Sequence, residues 1–159
     1  MKHLKHLWTQ PLAAVPNKLV IFLLIVALLG FADATYLTIE HYQGVIPPCT
    51  TNGCDTVLTS TYSTAAGIPV SLLGALYYLL VLVGVFAYLE SKNTKILKWA
   101  LLFTIFGLLG SLWFLYVQAF ILNAYCQYCL GSAATSIVLF ITAAVTLKKY
   151  QVGESGTQL

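Results

Sequence analysis

Two pairs of cysteines are the residues of this chain best suited to chemistry. Cys49 and Cys54 bracket Cys-Thr-Thr-Asn-Gly-Cys, and Cys126 and Cys129 bracket Cys-Gln-Tyr-Cys. Closely spaced thiols can cycle between dithiol and disulfide, and two such pairs brought together can pass electrons by thiol–disulfide exchange. A CxxC at a helix start has additional physics. Its sulfurs stand one turn apart, and the free N–H groups and positive dipole end of the helix favour a thiolate. Asn123 is placed to cap that helix, with Cys126 and Cys129 in its first two turns, Cys126 facing the surface and Cys129 deeper among apolar groups. Gly131, Ser132, Ala133 and Ala134 follow at once, small residues that let helices approach or leave space for a flat ligand. Other chemistries compete for the same residues. Two independent structural disulfides would serve a loop outside the cytoplasm, and four thiolates could hold zinc. No histidine or acid accompanies the cysteines as a zinc site would favour, so no metal is expected.

The elements that must position these thiols are hydrophobic almost throughout. Of 159 residues, 59% are hydrophobic and 8% charged, against about 25% charged in a typical soluble domain. Four apolar spans are expected at approximately 19–40, 68–90, 96–122 and 127–148, each near the ~20 residues that cross ~30 Å of hydrocarbon. Backbone polar groups must be satisfied internally in lipid, so continuous helices follow. The predicted fold is all-α, a polytopic membrane protein folded as one four-transmembrane-helix bundle over 1–159, with a disordered tail at 150–159. An N-terminal signal peptide is the competing reading, because Ala32-Asp33-Ala34 resembles a cleavage site. The apolar run exceeds the ~7–15 residues of a signal sequence and continues into Tyr36 and Leu37, so an uncleaved first helix is favoured.

Charge sets the expected orientation. The chain has no arginine, and its lysines fall in three groups: Lys2, Lys5 and Lys18; Lys92, Lys95 and Lys98; Lys148 and Lys149. With four spans these groups share one face, which the positive-inside rule makes cytoplasmic, as it does both termini. The lysine-free loop 41–66 and the short turn before Cys126 then lie on the exoplasmic (periplasmic) side of the cell membrane, where disulfides persist. The net charge of +3 is a topology signal and implies no nucleic-acid partner.

Within the loop, Gly44, Pro47, Pro48 and Gly53 make the stretch around Cys49 irregular. Asp55 can cap a short helix through Thr56–Ser60 that lies over the open end of the bundle, which anchors Cys54 and leaves Cys49 more exposed. Pro69 suits the first turn of the second span. Asp33 and Glu40 are acids in or beside the first span. Proton transfer or ion coupling is one reading of Asp33, and a hydrogen bond to Ser or Thr of a neighbouring helix is the other. Tyr36, Tyr42, Tyr62, Phe114, Tyr116, Phe120 and Tyr125 gather toward the exoplasmic half as interface belt, core, or walls of a pocket for a planar ring.

Taken together, Ala32-Asp-Ala-Thr-Tyr-Leu-Thr38, the loop cysteine pair, Cys54-Asp-Thr-Val-Leu-Thr-Ser60, Gly67-Ile-Pro-Val-Ser-Leu-Leu-Gly74 and Cys126-x-x-Cys129 resemble the vitamin K epoxide reductase family, in its bacterial or archaeal branch. The resemblance covers roughly 30–134. It implies a quinone-linked thiol–disulfide oxidoreductase that supports disulfide formation in exported proteins, using ubiquinone or menaquinone. Cys129 would react with the quinone and Cys126 would be its partner. Cys54 would exchange with Cys126, Cys49 would meet an exoplasmic thioredoxin-fold protein, and Ser60 would lie beside the quinone. The family's vertebrate enzymes carry a tyrosine four residues after the CxxC; here Ala133 stands there, which argues against epoxide reduction. No thioredoxin-like domain follows the fourth span, so the thioredoxin-fold partner is expected in trans. The four-helix disulfide oxidases that serve periplasmic thiol oxidants are the alternative of the same chemistry, but they place their CxxC in the first exoplasmic loop. A small transporter using Asp33 and Glu40, stapled by disulfides, is the alternative of another class.

Overall fold

Each long helix forms because its sequence is apolar on every side, so lipid and protein are both acceptable neighbours. A computed structural model of the chain describes residues 12–51 and 53–150. The helices are α1 (Asn17–Gln43), the short α2 (Cys54–Leu58), α3 (Val70–Ser91), α4 (Thr94–Tyr116) and α5 (Gln127–Tyr150). Four spans, Asn17–Gln43, Val70–Ser91, Thr94–Leu122 and Gln127–Tyr150, are long and apolar enough to cross a membrane. Large side chains such as Ile25, Leu28, Leu29, Leu80 and Ile141 face outward, as a lipid-embedded bundle requires. The expected tail from 151 on, together with Lys2 and Lys5, lies outside the described residues.

The four long helices pack as a ring in which α1 touches α3 and α5, and α4 touches α3 and α5. The seams are built around small residues, including Ala27, Ala34, Ala75, Ala100, Ala133 and Ala143, which let backbones approach. Val20, Leu23, Tyr78, Val81, Val85, Leu97 and Leu139 fill the core between them. Connections at the lysine-bearing end are tight. Lys92 closes α3 in the left-handed conformation (φ 51°), and the Asn93 side chain caps α4 by accepting the Lys95 N–H at 3.0 Å.

The opposite end is more elaborate, and several local expectations change there. Gly53, not Asp55, precedes α2, and no side chain caps that helix; Asp55 sits inside its first turn. A 3-10 turn (Thr61–Ser63) leads into a small hairpin, in which Thr64 pairs with Pro69 and Ala65 with Ile68. Its two-residue turn, Ala66-Gly67, takes positive φ at both positions (52° and 80°), the arrangement that matches strand twist. Pro69 consequently stands just outside α3 as its N-cap residue and not in its first turn. Asn123 is also reassigned. It ends the preceding span in the left-handed conformation (φ 48°), which asparagine tolerates, and so does not cap α5. The last turns before it, Val117–Leu122, widen into a π-helix.

Candidate redox site

The loop and the CxxC form one buried cluster. Cys54, Val57 and Cys126 are buried together, with Cys49, Leu58, Leu122, Ala124, Tyr128 and Cys129 packed against them. Cys49 and Cys54 are joined in a disulfide with Cα atoms 6.0 Å apart, while Cys126 and Cys129 are free thiols. Cys54 is fully buried and Cys49 half-buried. Cys126 does not face the surface as the sequence reading expected, because α2 covers it and leaves it 0% exposed.

The close approach has a backbone cause. A Cβ on Gly53 would lie 2.7 Å from the backbone N and O of Tyr125, so only glycine lets the chain entering α2 press against the chain entering α5. The middle residues of the CxxC then fasten the loop. Gln127 Oε1 accepts the Thr50 N–H (3.2 Å) and the Thr50 hydroxyl (2.5 Å). The Tyr128 hydroxyl donates to the Pro48 carbonyl at 2.9 Å, and the Thr51 hydroxyl to the Tyr125 carbonyl at 2.7 Å. The same Thr51 oxygen lies 3.1 Å from the Cys49 sulfur.

Cys126 occupies the cap position of α5: its carbonyl accepts the Leu130 N–H at 3.0 Å. The neighbouring Cys129 thiol hydrogen-bonds its sulfur and lowers its pKa from the usual 9.0 to about 7. Burial opposes that shift, and the backbone N–H groups of Cys129 and Tyr128 assist it. Its own N–H is held by Gln118, a fully buried residue of the π-helical turn. Gln118, Gln127 and Tyr128 were not singled out from sequence. A glutamine inside an apolar span is the signal that could have found Gln118.

Cys129 opens onto a different environment. It lines a cavity of about 860 Å³ between α2 and the four long helices, walled by apolar residues such as Leu37, Val57, Phe103, Phe106 and Phe114. Cys49, Cys54 and Cys126 do not line it. Ser60 does, with its hydroxyl donating to the Val57 carbonyl at 2.7 Å. Tyr62 and Phe114 are the members of the predicted aromatic group that reach the cavity, whereas Tyr36 packs on Tyr128 with ring centroids 5.6 Å apart. Glu40 reaches the cavity rim and Asp33 does not. Asp33 Oδ2 is buried without a hydrogen-bond partner, so that oxygen does not make the predicted bond to a neighbouring Ser or Thr.

This arrangement suits thiol–disulfide exchange: a disulfide and a dithiol share one buried cluster, and one thiol faces a separate apolar chamber. A comparison with curated proteins finds no match to the chain. The model of the Vitamin K epoxide reductase family matches residues 21–144, a stretch that includes all four cysteines, Ser60 and the cavity. The chain therefore belongs to the Vitamin K epoxide reductase family and is a membrane thiol–disulfide oxidoreductase.

Proposed function

We propose that this protein oxidises an exoplasmic thioredoxin-fold partner and delivers the electrons to a membrane quinone. The observation that carries the reading is the division of the cysteines. Cys54 and Cys126 meet in the buried cluster, and Cys129 alone of the four reaches the cavity.

In this scheme the partner's thiolate attacks Cys49 in the Cys49–Cys54 disulfide and releases Cys54. The partner's second thiol then resolves the mixed disulfide and leaves as a disulfide, with Cys49 and Cys54 reduced. The Cys54 thiolate attacks Cys126 in the oxidised CxxC, and Cys129 departs as a thiolate. Cys49 then attacks Cys54 and frees Cys126, whose low pKa makes it a good leaving group. The protein now holds one loop disulfide and two CxxC thiols, the combination present here. Those thiols give two electrons and two protons to the quinone, which leaves as hydroquinone while Cys126 and Cys129 close their disulfide.

The cavity is suited to the acceptor. It is walled largely by apolar side chains, and its volume falls in the usual ~300–1,000 Å³ range of small-molecule sites. Ser60 lies in its wall as a candidate polar contact. Charge supports the orientation: Lys18, Lys92, Lys95, Lys98, Lys148 and Lys149 belong to the end of the bundle away from the cysteines, the end that the positive-inside rule reads as cytoplasmic. The test is quinone reduction by the purified protein, with a reduced thioredoxin-fold protein as donor. Quinone-dependent oxidation of the donor is expected, and its absence with both ubiquinone and menaquinone analogues overturns the reading.

A further inference from the structure

Two residues of the cavity wall carry buried hydroxyls that make no hydrogen bond within the described residues. Tyr77 comes from α3, Ser136 from α5, and Gly107 of α4 stands where a Cβ would overlap both the Tyr77 hydroxyl and Ser136 Oγ. All three residues line the cavity. Ser136 is 2% exposed, and both hydroxyl oxygens are buried without a hydrogen-bond partner. A bond from one hydroxyl to the other would use only one of their two O–H donors. Buried polar groups without partners are rare, and a converging pair in a pocket wall points to a ligand acceptor.

The adjacent tyrosine provides the contrast. The Tyr78 hydroxyl donates to the Ser132 carbonyl at 2.7 Å and lies 2.8 Å from Thr135 Oγ1, so its polarity is absorbed by α5. The Tyr77 hydroxyl has no such use, although its ring is firmly held: it stacks on Phe103 at 5.7 Å and meets Tyr78 edge-on at 4.9 Å. The place of the ring is therefore set by its neighbours and does not depend on a mobile side chain.

Spacing connects this pair to the reactive sulfur. Cys129, Ser132, Ala133 and Ser136 follow one another at helical spacing along one face of α5, and all line the cavity. Seven residues of helix separate Cys129 from Ser136 by roughly 10.5 Å. That span accommodates one six-membered ring in contact with the sulfur at one edge and accepting a hydrogen bond at the other. We propose that the Tyr77 and Ser136 hydroxyls form the subsite that hydrogen-bonds the quinone carbonyl oxygen farthest from Cys129. The inference rests on the quinone reading above and assigns its polar recognition to residues of α3 and α5. As the dithiol passes two electrons and two protons to the quinone, negative charge develops on the carbonyl oxygens. Donors already oriented in a largely apolar cavity stabilise that charge without reorganising. The two hydroxyls donate hydrogen bonds throughout and end the cycle unchanged.

The test uses Tyr77→Phe, Ser136→Ala and the double variant, which remove hydroxyls and retain the ring stack and the helix. A short-chain ubiquinone analogue is bound to the protein with its disulfides closed, and its carbonyl stretch is read by infrared difference spectroscopy. In the unmodified protein one carbonyl band should lie below its free-quinone position; each single variant should weaken the displacement and the double variant should abolish it. In turnover, the quinone KM should rise roughly tenfold per hydroxyl, the weight of one ordinary hydrogen bond. Exchange between the reduced donor and the cysteines should be unchanged, which also reports that each variant is folded. An unshifted band position and KM in both single variants overturns the subsite while leaving quinone reduction standing. A protein that binds and reduces no quinone overturns the subsite together with the reading on which it rests, and that outcome is recognised by the missing band in the unmodified protein.

Discussion

Gln118 Oε1 accepts the backbone N–H of Cys126 at 2.9 Å, across the turn that joins the third and fourth membrane spans. The same residue's carbonyl accepts the Ala124 N–H at 3.1 Å, and its Nε2 donates to the Phe114 carbonyl at 3.4 Å. One buried side chain thus fixes where the CxxC begins.

Gln118→Leu would leave the Cys126 N–H buried and unpaired, a loss of about 1–3 kcal/mol. Thermal unfolding in detergent should report that loss, and single-turnover exchange between the cysteine pairs should slow. Unaltered stability and exchange would show that Gln118 is dispensable for placing Cys126.

Gly53→Ala inserts a methyl group against the Tyr125 backbone, which cannot move aside as a flexible side chain would. The loop should lift and Cys54 should separate from Cys126. Oxidation of the thioredoxin-fold donor should fall at least roughly tenfold, one hydrogen bond's worth of misplacement or more. Quinone reduction driven by a small dithiol acting directly on the CxxC should survive. Equal loss of both activities would place the effect on the whole fold.

The reduced CxxC should titrate near neutrality. Cys126 has its pKa lowered to about 7, so its thiolate dominates above that pH and is protonated below it. Thiolate ultraviolet absorbance of protein with the loop disulfide intact should show this midpoint. Removing the Cys129 thiol, the largest cause of the shift, in Cys129→Ala should move the midpoint upward; an unmoved midpoint would assign the shift to the helix amides instead. The same variant should lose quinone reduction, since Cys129 is the thiol facing the cavity.

Trapping separates the roles of the loop cysteines. A donor that keeps only its attacking cysteine should accumulate a mixed disulfide with Cys49 of the unmodified protein, because the donor thiol that resolves it is gone. Cys49→Ala should accumulate none. Non-reducing gels distinguish the cases, and a donor adduct on Cys54 would reverse the assignment.

Membrane-impermeant thiol reagents applied to reduced, intact cells should label Cys49, the half-buried member of the loop pair. Labelling only after permeabilisation would invert the orientation drawn from the lysines.

Composition and the length of the apolar runs were sufficient for the architecture, because in hydrocarbon a chain of this hydropathy has almost no option but continuous helices. The four spans could be read at once, and Cys126 and Cys129 could be located at the head of the last one, since apolar length is a local property. Boundaries set by backbone conformation were less legible. Asn123 reads equally well as a cap or as a left-handed terminator, and the choice was made by the widened turn of Val117–Leu122 and its contact with Cys126. The Ala66-Gly67 hairpin is not legible in the sequence, because two paired residues on each side carry no periodic signal.

What only tertiary structure decided is which groups face one another. Burial of Cys126 depends on α2 lying over it, and that in turn depends on Gly53 meeting the Tyr125 backbone, residues 72 positions apart in the chain. The unequal surroundings of Cys126 and Cys129 likewise follow from packing, as does the convergence of Tyr77 and Ser136 beside Gly107 from three different helices. Sequence determined the elements and supplied the thiols; contacts between distant segments determined which thiol is sealed under the loop and which one reaches the cavity.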